Sequence, residues 1–336
     1  MDTALREENA HNQENQIQVR FNQNRNESGL GGVQMSVSAG LPAEVGKEKQ
    51  SRQALIALVL GGIAIGCSPI FVRVSEVGPI ATGFWRLALA LVPLLVLFLR
   101  DAPSGAVRAG PRTLSECLML AAPGVLLGIE MTAWHLSLHM TSVANSTLLV
   151  NMAPVFVALG SWLFLRKTMS RVFLLGLALT ISGVVVLKGG FAGIGEGDLR
   201  GDGVALFAAV LYAGYIMLLS RVRTRFPTMT VMLWSTGAAA LSVLPAALVW
   251  EPNMVPFTVV GWLVLLGLAW ISHAAGQSFI TFALAWLPAT FSSLTLLLQP
   301  VVATLLAWSL LGETVDGWQI VGGLIVIAGI VVAKRG

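Results

Sequence analysis

Residues 142–188 overlay residues 288–334 without a gap, at a constant offset of 146 positions. Fourteen of the 47 aligned positions are identical. Pro154 falls on Pro300, Trp162 on Trp308, Thr168 on Thr314, Gly176 on Gly322, Gly183 on Gly329 and Lys188 on Lys334. Shared apolar composition alone does not bring prolines, tryptophans and glycines into register together. The chain therefore contains two copies of one unit, and a repeat constrains the fold before any local pattern does. The starts of the copies agree more loosely at an offset of 148, where Gly66 meets Gly214, Arg73 meets Arg221, Val74 meets Val222 and Pro79 meets Pro227.

Composition identifies the kind of unit. The chain is 55% hydrophobic and 11% charged, against about 25% charged in a soluble domain, and its mean hydropathy is +0.78. Ten apolar stretches of roughly bilayer length are read at about 54–74, 79–99, 114–137, 142–165, 172–188, 199–220, 228–250, 257–285, 290–310 and 317–334. The eighth is long enough to be tilted or to begin at the interface. Lipid offers backbone groups no partners, so the spans are read as helices. The fold class expected is an all-α integral membrane protein, ten helices in two five-helix repeats.

An odd number of spans per copy inverts the second copy relative to the first, an arrangement common among secondary transporters. With the N-terminus inside, the cytoplasmic ends carry 14 basic residues and the opposite ends only Arg73, Lys188 and Arg200. That bias places both termini in the cytoplasm. Arg166-Lys167 in the first copy becomes Gly312-Glu313 in the second, as inversion requires. The net charge of +4 is thus a topology signal, and no nucleic-acid surface is read from it.

Three segments carry a family likeness: FVRVSEVGPIATGFWRLALA near the first two spans, GDGVALFAAVLYAGYIMLLSR opening the second half, and LLLQPVVATLLAWSLLGETVDGWQIVGGLIVIAG at the end. Together, in this order and with ten spans, the chain resembles the EamA-type transporters of the drug/metabolite transporter superfamily over about residues 54–334. The first copy departs from the family's Leu-Gly-Glu turn, which only Leu311-Gly312-Glu313 keeps. The resemblance implies a secondary carrier of the inner membrane, with export of amino acids or other small metabolites.

Residues 1–50 are different material, with 12 Asn or Gln, seven acids and five bases. They are expected to form a disordered cytoplasmic tail, with Met35 as an alternative start and an idle sequon at Asn26-Glu27-Ser28. The first repeat is assigned to 51–190 and the second to 197–335. Cys67 and Cys117 are expected to be free, buried thiols. His135 and His139 lie four apart without a third ligand nearby in sequence, so no metal is assigned. No G-x-S-x-G, H-E-x-x-H or Walker A pattern is present, so the chain is read as no enzyme, with no cofactor and no direct ATP coupling.

Polar residues inside spans are the functional candidates. Arg86 and Glu130 each lie about seven residues from the outer end of spans two and three, or about 10 Å deep. Two readings stay open. The pair fastens two spans, or Arg86 attracts a substrate carboxylate and Glu130 trades a proton. Pro154 and Pro300 lie mid-span in spans four and nine, where a proline frees the carbonyl one turn back, that of Val150 or Leu296. Thr147 and Asn151 in span four, Ser292, Thr295 and Gln299 in span nine, and His273, Gln277 and Thr281 in span eight are spaced to share faces near these kinks. Tyr212 and Tyr215 of span six and Trp134 complete a cavity part polar and part aromatic; the competing reading is ordinary interhelical hydrogen bonding. Of the other tryptophans, Trp85, Trp234 and Trp270 are further candidates for packing a substrate, whereas Trp162, Trp250, Trp262, Trp286, Trp308 and Trp318 read as interfacial. Gly62 and Gly66 read as a close-packing surface.

The expected partners are a small-molecule substrate, membrane lipid and, as coupling ion, protons; the chain is a monomer or a homodimer. The expected mechanism is alternating access, with the two halves rocking about a central site. The competing functions are efflux of lipophilic toxic compounds, which calls for a more aromatic cavity, and a membrane-embedded binding or sensor protein without flux.

Overall fold

The computed structural model describes residues 41–100, 110–188 and 198–336. The tail expected at 1–50, with Met35 and the sequon, falls outside these residues as far as residue 40. Residues 41–50 are helical, the beginning of a helix that runs Leu41–Gly66. Every described element is helical. Among the described residues nine helices are long and apolar enough to cross a membrane, and Arg171–Leu187 is a shorter apolar helix, about 25 Å at 1.5 Å per residue. The chain is an all-α, multi-pass membrane protein.

Helix starts follow capping chemistry. Thr113, Ser142, Ser170, Asp198 and Thr258 each accept a hydrogen bond from a backbone N–H of the first turn, satisfying donors that lipid cannot. Four spans are interrupted. Span one breaks at Cys67 into Leu41–Gly66 and Ser68–Arg73, with Pro69 in the first turn of the second piece. Span four breaks at Asn151-Met152 between Val143–Val150 and Ala153–Leu165. Span nine breaks at Leu296-Leu297 between Ala289–Thr295 and Leu298–Leu311. Span eight passes from Val259–Gly267 through a π-helical segment, Leu268–Gln277, to Ser278–Ala283. The prolines sit at the expected breaks, but the Leu296 carbonyl is not free: it accepts the Gln299 N–H at 3.0 Å. The chain tightens into an i→i+3 turn there and recovers the bond that Pro300 removes.

The inversion is written into the contact between spans five and ten. A side chain added at Gly176 would strike Ala333, and one at Gly322 would strike Leu187; Gly183 sits on Val326, and Gly329 on Thr180. Each pair is the other shifted by the repeat offset. Residue numbers rise along one helix as they fall along the other, so equivalent spans run antiparallel.

Packing then crosses the repeats throughout. Span three lies against spans six and seven, span two against seven and eight, and span four against six. Gly61 of span one meets Gly276 and Ile280 of span eight, and Gly66 meets Val302 and the Gln299 carbonyl of span nine. Gly62 meets nothing within 4 Å, so only Gly66 of the expected pair is a packing glycine. The repeats are thus interleaved: each half's apolar faces are buried by the other, and residues 49–336 form one compact unit.

Two carboxylates fasten loops on the face expected to be outer. Glu251 accepts the Ile80 N–H at 2.7 Å at the start of span two. Glu76 accepts the Phe257 and Thr258 N–H groups at 2.9 and 3.0 Å, and the Thr258 hydroxyl, at the start of span eight. The Thr258 hydroxyl, with the backbone donors, holds the Glu76 carboxyl below its ordinary pKa. A depressed native pKa stabilises the fold above the unfolded value and is lost as pH falls through the native one. Amide exchange at Phe257 and Thr258 is expected to accelerate below the ordinary carboxylate range in the native chain, and to be fast and independent of pH-linked release in Glu76→Gln.

Candidate functional site

One cavity of about 1140 Å³ occupies the centre of the helical unit. Leu127, Glu130, Met131, Trp134 and Leu138 line it from span three, at the spacing that places residues on one helix face. Span two contributes Arg86, span six Tyr212, and the π-helical segment His273 and Gln277. The interrupted spans four and nine contribute Thr147, Asn151, Pro154, Ser293, Gln299 and Pro300.

Eight of the nine expected substrate-binding residues thus share one wall system. Tyr215 does not line it. Three residues along a helix is 300°, so Tyr212 and Tyr215 diverge by about 60°, and Tyr215 is 1% exposed. Its hydroxyl accepts the Gln277 Nε2–H, and its ring lies 5.7 Å from that of Tyr212. It positions two lining side chains. In span nine the turn at Leu296-Leu297 shifts the helical phase, so Ser293 faces the cavity while Ser292 and Thr295 are buried elsewhere. His273 Nε2 and the Thr236 hydroxyl are 3.0 Å apart, and Thr281 Oγ1 contacts Met232 Sδ rather than the cavity.

Other expectations are corrected. Trp85 donates to the Met254 carbonyl and packs edge-on against Trp262, 5.0 Å away. Trp234 and Trp270 are exposed at the periphery. Trp318, exposed near the start of its span, also lines the cavity, with Arg73, Lys188, Glu313 and Asp316. These residues went unnoticed because charge at a span end is ordinary. His135 is buried with Nδ1 2.7 Å from the Met131 carbonyl. Cys67 and Cys117 are free but only half-buried.

The site's electrostatics are open. Among the described residues, Arg86 and Glu130 share no hydrogen bond or ion pair. Glu130 is 6% exposed; Arg86 Nε and Trp134 Nε1 are buried without partners, while the Gln299 side chain hydrogen-bonds the Tyr212 hydroxyl. Each unsatisfied donor costs about 1–3 kcal/mol. Two orphan donors around one cavity call for an acceptor-rich ligand, and a buried carboxyl without a hydrogen bond calls for a donor or a cation. Nothing in the described residues gathers three metal-ligating side chains.

The cavity reaches the span ends expected to be outer, at Arg73, Lys188, Glu313 and Asp316. Its mouth carries the Arg73–Glu313 ion pair. Leu58, Leu120, Val157, Ile216, Leu219, Ile280 and Leu284 form a buried apolar cluster in the halves of their spans expected to be inner.

A family model described as the EamA-like transporter family matches residues 52–188 and again 199–334. A probable terminal-alkyne amino-acid exporter of Streptantibioticus cattleyicolor is 28% identical over 84% of this chain and 94% of its own. The pseudopaline exporter CntI of Pseudomonas aeruginosa is 25% identical over 75% of this chain and 84% of its own. A solved crystal structure superposes with a TM-score of 0.70 at 19% identity, covering 86% of this chain and 97% of that one, and shares the fold.

Proposed function

The chain belongs to the EamA-like transporter family, and from that premise we propose that it exports amino acids or related amphipathic solutes across the cytoplasmic membrane by alternating access. The observation carrying this reading is the pair of partnerless donors, Arg86 Nε and Trp134 Nε1, around a cavity that also holds the buried carboxyl of Glu130. A carboxylate-bearing solute satisfies the donors, and its ammonium satisfies Glu130. Tyr212 and Trp134 offer aromatic faces to the remainder. With both termini cytoplasmic, the open mouth faces outward, and the apolar cluster at the inner end is the closed gate. Two relatives named as exporters support the direction.

Binding by purified protein tests the chemistry, with phenylalanine, phenylalanine amide and N-acetylphenylalanine as probes. Phenylalanine is expected to bind at least about tenfold more tightly than either analogue, since each leaves one buried charge unpaired. Equal binding of all three contradicts recognition of both charges and favours efflux of lipophilic compounds.

A further inference from the structure

The turn that ends span four is the turn that ends span nine, shifted by the repeat offset. Lys167 N–H reaches the Ser161 carbonyl at 3.1 Å, and Glu313 N–H reaches the Ala307 carbonyl at 3.3 Å. Both turns need a left-handed residue. In span nine it is Gly312 at φ +68, and in span four it is Arg166 at φ +51, the one described non-glycine residue with positive φ. Glycine takes this conformation freely and arginine does not. Topology alone does not account for the choice, because a positive-inside signal needs basic charge near the span end and Lys167 and Arg171 already provide it.

Arg166 borders a surface cleft of about 270 Å³ with Trp162, Leu163 and Thr168. Among the described residues its guanidinium has no protein partner. No acidic residue occurs from Leu165 to Leu187. Gly336 lies against Ser170 and Phe173, so the exposed Lys334 and Arg335 end at the start of the helix that follows this turn. Immediately along span four the surface turns apolar, with Leu159, Leu163 and Phe164 exposed. A Trp at such a boundary is the amphipathic anchor of a membrane interface.

We propose that this cleft binds the headgroup phosphate of an anionic phospholipid, with Arg166 as its principal cation and the Leu159–Phe164 surface receiving the acyl chains. A phosphodiester carrying hydrocarbon is the ligand that meets both halves of the site; a free phosphate meets only the basic half. The left-handed position carries a guanidinium, planar and multidentate toward phosphate, where glycine would give the turn without the charge.

The test is thermal unfolding of the purified full chain in neutral detergent, with dioleoylphosphatidylglycerol, dioleoylphosphatidylcholine or inorganic phosphate added at equal concentration. Phosphatidylglycerol is expected to raise the midpoint by about 4 °C, with little change from the other two. Arg166→Gly and Arg166→Asn, both tolerant of the left-handed turn, are expected to unfold no earlier than the parent without lipid and to lose most of the phosphatidylglycerol shift. Arg166→Lys is expected to keep part of it. Equal shifts from the two lipids, a shift reproduced by inorganic phosphate alone, or a shift retained in both the Gly and Asn variants overturns the proposal.

Discussion

Arg86→Ala is expected to cut export by roughly 100-fold, equivalent to about 3 kcal/mol, while the protein reaches the membrane in near-normal amount. The reasoning starts from what Arg86 lacks. No hydrogen bond or ion pair ties it to Glu130, and its Nε is buried without a partner. Removing it therefore breaks no hydrogen bond or ion pair among the described residues. It removes the deep cation of the cavity, leaving Arg73 and Lys188 at the mouth and Glu130 inside. Were Arg86 merely fastening spans two and three, the same substitution would lower membrane abundance and leave the rate per molecule intact. Arg86→Lys separates charge from shape. It keeps the cation and loses the planar fork, so an intermediate rate is expected. Rate per molecule is read as initial efflux from preloaded cells, divided by protein detected in the membrane fraction.

The second large effect is structural. Gly183→Val is expected to destabilise the chain by about 3 kcal/mol and to lower its membrane abundance several-fold. A side-chain carbon at Gly183 meets the Val326 backbone nitrogen at 2.6 Å and the Gly322 carbonyl at 2.9 Å. These are backbone atoms of span ten, so relief requires the helices to separate. In a membrane, close approach is the main source of helix association, because lipid tails compete with apolar side chains for every other contact. Gly203→Val is the control: it carries the same change of residue into open space, where nothing lies within 4 Å, and is expected to leave abundance near that of the parent. Comparable losses from both would show that valine itself, and not the crossing of spans five and ten, is the cause.

That crossing explains why so much of the architecture was readable in advance. Gly176, Gly183, Gly322 and Gly329 recur at the repeat offset because they meet one another's neighbours across a pseudo-two-fold axis, so a contact in space became a correspondence in the chain. Span limits were legible for a simpler reason: lipid forces continuous apolar helices. What the sequence could not carry was phase. Asn151 and Gln299 sit at breaks, and the turn at Leu296-Leu297 decides that Ser293, and not Ser292, faces inward. The π-helical segment of span eight leaves no composition signature, yet it sets where His273 and Gln277 stand. The interleaving of the halves was equally hidden, since periodicity tells which face of a helix is buried and never by whom. The mouth residues Arg73 and Glu313 escaped notice because charges at span ends are expected whether or not they border a cavity.

The measurement that bears most directly on the account is an untargeted metabolite profile of the medium around cells overproducing the intact chain. The comparison is with cells producing Arg86→Ala at equal membrane abundance. The account predicts one or a few compounds bearing both a carboxylate and an amine, accumulating outside only with the intact chain. Indistinguishable media, or accumulation of uncharged lipophilic compounds insensitive to Arg86, would contradict it.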